Sequence, residues 1–144
     1  MSRHLAIAVA ALQLSVSTAR ADIVNTPQLR RLVWQMLEDA GMGARGTEVS
    51  AFIVVRDGAL TLIRWPESDA PYSARWFGPF PNGAIAIVHT HPNWNPLPSK
   101  IDMRTARQTH LPVYVVTRMA ISKTIGGEPQ IILSRDWPLA ESGR

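Results

Sequence analysis

Two histidines, a serine and an aspartate stand close together in the second half of the chain. His89 and His91 flank one threonine and precede a proline, and Ser99 and Asp102 follow after a short loop. Alternate side chains of a β-strand point to the same face, so His89 and His91 could bind one ion together. Asp102 could add a carboxylate ligand from the next element. Two imidazoles, one carboxylate and an open fourth position are typical of a catalytic zinc site rather than a structural one.

A metal site of this kind needs a general base and a group that stabilises developing charge. A bound metal ion lowers the pKa of a coordinated water towards ~7, and a nearby unbound glutamate can take the proton. Glu48 immediately precedes a predicted buried strand, where a charged side chain is uncommon without a partner or a role. We therefore predict that Glu48 is the base; a solvated residue at the end of the strand is the alternative. Ser99 is predicted as the N-cap of a helix, with Asp102 completing a capping box. Its hydroxyl could also stabilise an oxyanion, and the two roles are compatible.

The loop after the histidines carries three prolines and one tryptophan. Pro92, Pro96 and Pro98 make it stiff and non-helical. We predict that Trp94 contacts the substrate, with attachment of the loop to the protein body as an equal alternative. His110, further along, is predicted to be a surface or packing histidine rather than a ligand.

Composition narrows the class of protein. The chain has 144 residues, which predicts one domain, and 46% hydrophobic with 18% charged residues indicates a globular core. The net charge is +4, carried by scattered basic residues, so we predict no nucleic-acid partner. The absence of cysteine excludes disulfides, a thiol nucleophile and a cysteine-based zinc site. No oligomeric state is indicated.

The first 21 residues resemble a secretory signal. Arg3 and His4 precede an apolar run of 12 residues, and Ala19-Arg20-Ala21 offers a small-x-small cleavage pattern. The run is too short to span a bilayer, and no other segment could do so. We therefore predict a signal peptide over residues 1–21, a domain over residues 22–144, and a secreted or periplasmic location. A buried N-terminal helix is the alternative.

The remaining pattern alternates helices and short strands. A helix with an apolar stripe begins at Pro27, ends at the glycines Gly41 and Gly43, and is expected to pack on a sheet. Residues 66–83 are predicted to be a loop with a short strand around Trp76. The other predicted elements are a strand pair around the turn Asp57-Gly58 (49–55 and 59–65), a strand at 84–89, a helix at 99–109, and strands at 113–118, 120–125 and 130–134.

The combined pattern resembles the JAMM motif of the JAB/MPN metalloprotease family. Glu48, the segment from His89 to Pro92, and Ser99-x-x-Asp102 follow the form Glu…His-Ser/Thr-His-Pro…Ser-x-x-Asp. The resemblance is to a compact, bacterial-type member, and it implies one α+β domain with a curved mixed β-sheet flanked by helices. It further implies that His89, His91 and Asp102 bind one zinc ion, that Glu48 is the general acid and base, and that Ser99 stabilises the oxyanion.

The function expected from this resemblance is hydrolysis of a peptide or isopeptide bond by metal-activated water. A non-catalytic JAB-like module in an exported complex is the alternative, and iron, cobalt or manganese could replace zinc. The chain is too compact for the insertions that hold ubiquitin, so deubiquitination is not implied. A RadC-like nucleic-acid role is disfavoured by the modest charge and the signal. Peptidoglycan peptidases with His-x-His need a further upstream histidine, and only His4 precedes the motif.

Overall fold

The architecture consists of two α-helices and six strands in the part of the chain that is described. The computed structural model describes residues 22–68, 74–134 and 137, and the predicted signal peptide over residues 1–21 lies outside them. The elements are α1 (Pro27–Asp39), β1 (Ser50–Arg56), β2 (Ala59–Arg64), β3 (Ala84–Thr90), α2 (Lys100–Thr109), β4 (Val113–Val116), β5 (Ile121–Thr124) and β6 (Gln130–Leu133). Among these residues, neither helix combines the length and the hydropathy needed to cross a membrane.

The strands form one mixed, open sheet in the order β2-β1-β3-β4-β5-β6. All neighbouring strands are antiparallel except β3 and β4, which are parallel. A parallel pair requires a crossover connection, and α2 supplies it between these two strands. The predicted α+β fold is thus confirmed, and its parallel step places the start of α2 beside the end of β3.

Each face of the sheet is covered by one helix. Along β1, Ala51 and Ile53 belong to the cluster that packs against α1, whereas Phe52 and Val54 pack with Ala106 of α2. This division follows from the alternation of side chains along a strand. The expected packing of α1 on the sheet is confirmed, and its buried stripe comprises Leu29, Val33, Met36 and Leu37.

The predicted short strand around Trp76 is wrong, because residues 74–83 form no strand. The indole of Trp76 packs edge-on against Phe52 at 5.1 Å, and its Nε1 donates to the carbonyl oxygen of Pro79 at 3.1 Å. Pro79 and Pro81 have no N–H to give to a ladder. The tryptophan is therefore held by side-chain packing rather than by strand pairing.

Asp22 anchors the beginning of the described chain to the sheet. Its carboxylate accepts a hydrogen bond from the Tyr114 hydroxyl at 2.8 Å, accepts another from the Val24 N–H, and contacts the Lys123 ammonium. Burial by itself raises the pKa of Asp22, but Lys123, Tyr114 and Val24 outweigh it and leave the pKa below its usual value of 3.8. The ionised carboxylate is thus favoured in the folded state.

Asp22→Asn should lower the free energy of unfolding at pH 7 by about 1 kcal/mol. Because the pKa of Asp22 is lower in the folded than in the unfolded chain, this contribution is present above about pH 4 and is lost as the pH falls through the folded pKa. Urea unfolding of the full chain between pH 7 and pH 3 should therefore show the gap between wild type and variant closing. Asp39→Asn is the control, since its ion pair with Arg64 is exposed. If the difference in the free energy of unfolding between wild type and Asp22→Asn instead grew on acidification, the lowered pKa of Asp22 would be contradicted.

Candidate metal centre

The alternation of β3 directs His89 to the face of the sheet that α2 covers. His89 has the same parity as Ile87, which packs in the α2-side cluster, and it pairs across the sheet with Ser50 of β1. Only 5% of its surface is exposed. A buried imidazole at the end of a strand, beside the start of a helix, is well placed to meet a ligand from that helix.

His91 follows the end of β3 and is oriented by the loop after it. Its backbone N–H donates to the Val116 carbonyl at 3.2 Å, and its Nδ1 lies 2.8 Å from the carbonyl oxygen of Asn95. A carbonyl can only accept, so Nδ1 carries the proton and Nε2 keeps its lone pair. A metal-binding histidine is commonly fixed by such a contact on its other ring nitrogen.

Asp102 belongs to the capping box that begins α2. Its Oδ2 accepts a hydrogen bond from the Ser99 N–H at 2.6 Å, and the Ser99 hydroxyl oxygen accepts one from the Asp102 N–H at 3.2 Å. The predicted cap is confirmed. The same carboxylate faces the histidines, with Oδ1 at 3.0 Å from His89 Nε2 and Oδ2 at 3.8 Å from His91 Nε2.

These three side chains fit one metal ion. One ligand atom from each of His89, His91 and Asp102 lies within 4.8 Å of the others. Ligand atoms around tetrahedral zinc are about 3.4 Å apart, and the two carboxylate–imidazole separations bracket that value. Both ring nitrogens of His89 are buried without a directed hydrogen bond, because the close carboxylate oxygens lie off the direction of a ring N–H. The donor set of two imidazoles and a carboxylate suits a divalent transition metal.

Glu48 approaches the same cluster from the start of β1. It precedes Ser50 by two residues and shares its parity, so it lies on the α2 face, and its Oε1 is 2.7 Å from His89 Nδ1. Its side chain is 16% exposed. Glu48 thus touches a ligand residue but is not one of the three that converge on a common point.

The charges of the cluster are mutually dependent. Burial is the largest influence on the pKa of His89 and lowers it, but the carboxylates of Asp102 and Glu48 outweigh burial and raise the pKa to about 10. Burial raises the pKa of Asp102, yet His89 and the Ser99 contacts hold it well below its usual range. Burial and the charge of His89 lower the pKa of His91. A divalent ion would take the place of the proton that His89 otherwise carries.

Trp94 packs against the protein body. The backbone of Trp94 has φ 61°, and its Nε1 is so close to Gly43 that a Cβ there would come within 2.5 Å. The Arg118 guanidinium lies 5.3 Å from the indole centroid. Trp94 is not among the residues that line the cavity at the metal cluster, whereas its neighbours Asn93 and Asn95 are. Its predicted substrate contact remains a prediction.

A cavity of about 510 Å³ opens over the cluster. Glu48, His89, His91, Ser99 and Asp102 all line it, so the structure brings together every residue predicted from the sequence except Trp94. A second, more polar cavity of about 890 Å³ shares Glu48 with the first. Glu48 therefore stands at the boundary between the two.

The comparison with known families agrees with this geometry. A family model described as prokaryotic homologs of the JAB domain matches residues 81–128. The similarity over this segment supports a compact, bacterial-type JAB/MPN family member. The matched segment of the JAB domain carries His89, His91, Ser99 and Asp102, while Glu48 lies before it. No curated protein matches the chain.

Three contributors to the candidate metal site could not be identified from the motif. The Asn95 carbonyl is a backbone group, and Gly43 and Arg118 are far from the motif in sequence. The glycine pattern after α1 is the one indication that the sequence offers for Gly43, and it predicts only a helix end. The structure shows that the same glycine leaves room for the Trp94 indole.

Metal content of the purified full chain should be about one ion per chain, and His89→Ala/His91→Ala should remove it. Two of the three ligands are lost in this variant, and the carboxylate alone cannot compete with water. Elemental analysis after dialysis measures the number of metal ions per chain in both proteins. His110→Ala is the control, because His110 is exposed and outside the cluster. Equal metal in the wild type and the double variant would contradict the site.

Gly43→Ala should weaken metal affinity by about tenfold. The new methyl group would push Trp94 away and move the loop whose Asn95 carbonyl orients His91. Chelator competition measures the affinity. Gly46→Ala is the matched control, because Gly46 also has a positive φ of 69° but no atom near its added Cβ. Equal effects of the two substitutions would show that backbone strain, and not the Trp94 contact, is responsible.

Proposed function

We propose that this protein is a zinc-dependent metallopeptidase that hydrolyses a peptide or isopeptide bond. The observation that carries the proposal is the convergence of His89, His91 and Asp102 on one point, with the carboxylate of Glu48 2.7 Å from His89. A structural zinc site needs four protein ligands and no base. Three ligands, a neighbouring carboxylate and an open cavity suit catalysis better.

Zinc is the proposed ion because imidazole and carboxylate ligands in a three-residue site match its catalytic centres. When bound, the ion supplies Lewis-acid activation of water and polarises the substrate carbonyl. His91 is held for this task by its Nδ1 contact to Asn95, and His89 by its neighbours Asp102 and Glu48.

Glu48 would act as the proton carrier. Glu48 lines both the cavity over the metal cluster and the second, more polar cavity. Its carboxylate can therefore face both the attacking water and the leaving group. In the proposed step, water oxygen bonds to the carbonyl carbon while Glu48 takes a water proton. The C–N bond then breaks as Glu48 delivers that proton to the leaving nitrogen. Atoms and charges balance without a further reactant.

Ser99 would stabilise the oxyanion. Its oxygen accepts the Asp102 N–H and lines the cavity, and its O–H, which contacts the Asp102 carboxylate in this structure, would turn towards the substrate once that carboxylate binds the ion. The same hydroxyl oxygen can therefore cap α2 while its proton serves the substrate. A single donor of this kind is worth roughly 10²–10³ in kcat.

We further propose that the protein acts outside the cytoplasm, as a secreted or periplasmic enzyme. The support is the pattern of residues 1–21, with a basic start, an apolar run and a small-x-small end. Its partner would be a peptide or protein substrate, and such a location makes cell-wall cross-links one class to screen.

Glu48→Gln should reduce kcat by roughly 10²–10⁴ and leave metal content unchanged. The amide keeps the shape of Glu48 and its place beside His89 Nδ1, but it cannot carry the proton. The assay is cleavage of a peptide library by the zinc-loaded full chain, followed by mass spectrometry. Glu67→Gln is the matched control, since Glu67 lines only the polar cavity.

Full activity in Glu48→Gln would overturn the assignment of the base. A zinc-loaded wild type that cleaves neither peptides nor cell-wall fragments would instead favour the alternative, a non-catalytic JAB-like binding module.

A further inference from the structure

Two large, exposed apolar side chains line the metal cavity. Leu97 is 43% exposed and Ile101 is 68% exposed, and both line the cavity. Neither is among the residues that pack in the two hydrophobic clusters of the sheet faces. Their exposure costs solvation free energy without a packing contact in either core to offset it.

Two buried apolar side chains line the same cavity. Ile87 and Val113 line the same cavity and are almost fully buried, at 3% and 1% exposed, within the α2-side cluster. The exposed pair and the buried pair thus add apolar surface to the cavity that the metal cluster and Glu48 also line. A cavity that combines apolar surface with a few convergent polar groups is typical of a ligand site.

Leu97 and Ile101 belong to the same chain segments as the candidate metal ligands and their supporting residues. Ile101 is adjacent to Asp102 in the first turn of α2, and Leu97 donates its backbone N–H to the Asn95 side chain at 3.1 Å. Asn95 in turn holds His91. A side chain that rests on Leu97 and Ile101 would therefore belong to the residue next to the bond at the metal.

We propose that Leu97 and Ile101, over Ile87 and Val113, form a subsite for a large aliphatic or aromatic side chain of the residue adjoining the scissile bond. The subsite rests on the proposed function and defines its substrate class as polypeptides with such a residue at the cut. It also makes Leu97 and Ile101 specificity-determining residues.

The test uses binding rather than turnover. N-acetylated amino-acid hydroxamates of glycine, aspartate, leucine and phenylalanine share one metal-binding group and differ only in the side chain. Titration calorimetry with the zinc-loaded full chain should show the leucine and phenylalanine compounds binding about tenfold or more tightly than the glycine compound. The aspartate compound should bind no better than the glycine compound.

Substitutions at Leu97 and Ile101 test whether these two side chains cause the preference for the leucine hydroxamate. Ile101→Ser and Leu97→Ser should reduce the leucine-to-glycine ratio to within about threefold, with metal content unchanged. Ile125→Ser is the matched control, because Ile125 is 72% exposed and lines neither cavity described above. It should keep the wild-type ratio.

Equal binding of all four hydroxamates by zinc-loaded protein would overturn the subsite while leaving the proposed hydrolysis intact. The subsite would also be overturned if Ile101→Ser and Leu97→Ser both kept the full preference. Side-chain selectivity without any peptide cleavage would uphold the subsite and remove the proposed activity instead.

Discussion

The carboxylate of Asp102 is the interaction on which the site depends, because it serves the helix and the histidines at once. One oxygen closes the capping box with Ser99 at 2.6 Å, and the other lies 3.0 Å from His89. The first contact fixes the start of α2, and the second ties that start to the end of β3. A helix N-terminus favours negative charge, so α2 itself helps to keep this carboxylate ionised in a largely buried position.

The charge of the cluster also explains why its members stay together. A protonated His89 between Asp102 and Glu48 leaves the cluster negative, and buried charge is costly unless it is compensated. A divalent ion that replaces the His89 proton brings the cluster close to neutrality. Metal binding at this cluster would therefore be coupled to loss of a proton. The raised pKa of His89 and the lowered pKa of Asp102 are two expressions of that one charge balance.

Much of the fold and the grouping of His89, His91 and Asp102 could be predicted because they follow local rules. Strand alternation places His89 on one face, the Ser-x-x-Asp spacing predicts the cap, and Asp57-Gly58 predicts the turn between β1 and β2. Trp76 did not follow such a rule. The short strand expected around Trp76 is absent, and the indole packs instead on Phe52, a contact that depends on the tertiary structure.

The loop between the ligands shows why the rest of the site was not predictable. Trp94 takes a left-handed backbone conformation that costs a bulky residue on the order of 1–3 kcal/mol. The strain persists because the indole packs on Gly43 and Arg118, two residues that only the fold brings near. Three prolines reduce the conformational freedom of the unfolded loop. Together with the packing of Trp94, they place the Asn95 carbonyl oxygen within hydrogen-bond distance of His91 Nδ1. The orientation of His91 is thus set by the fold without a metal ion, which would lower the entropic cost of binding one.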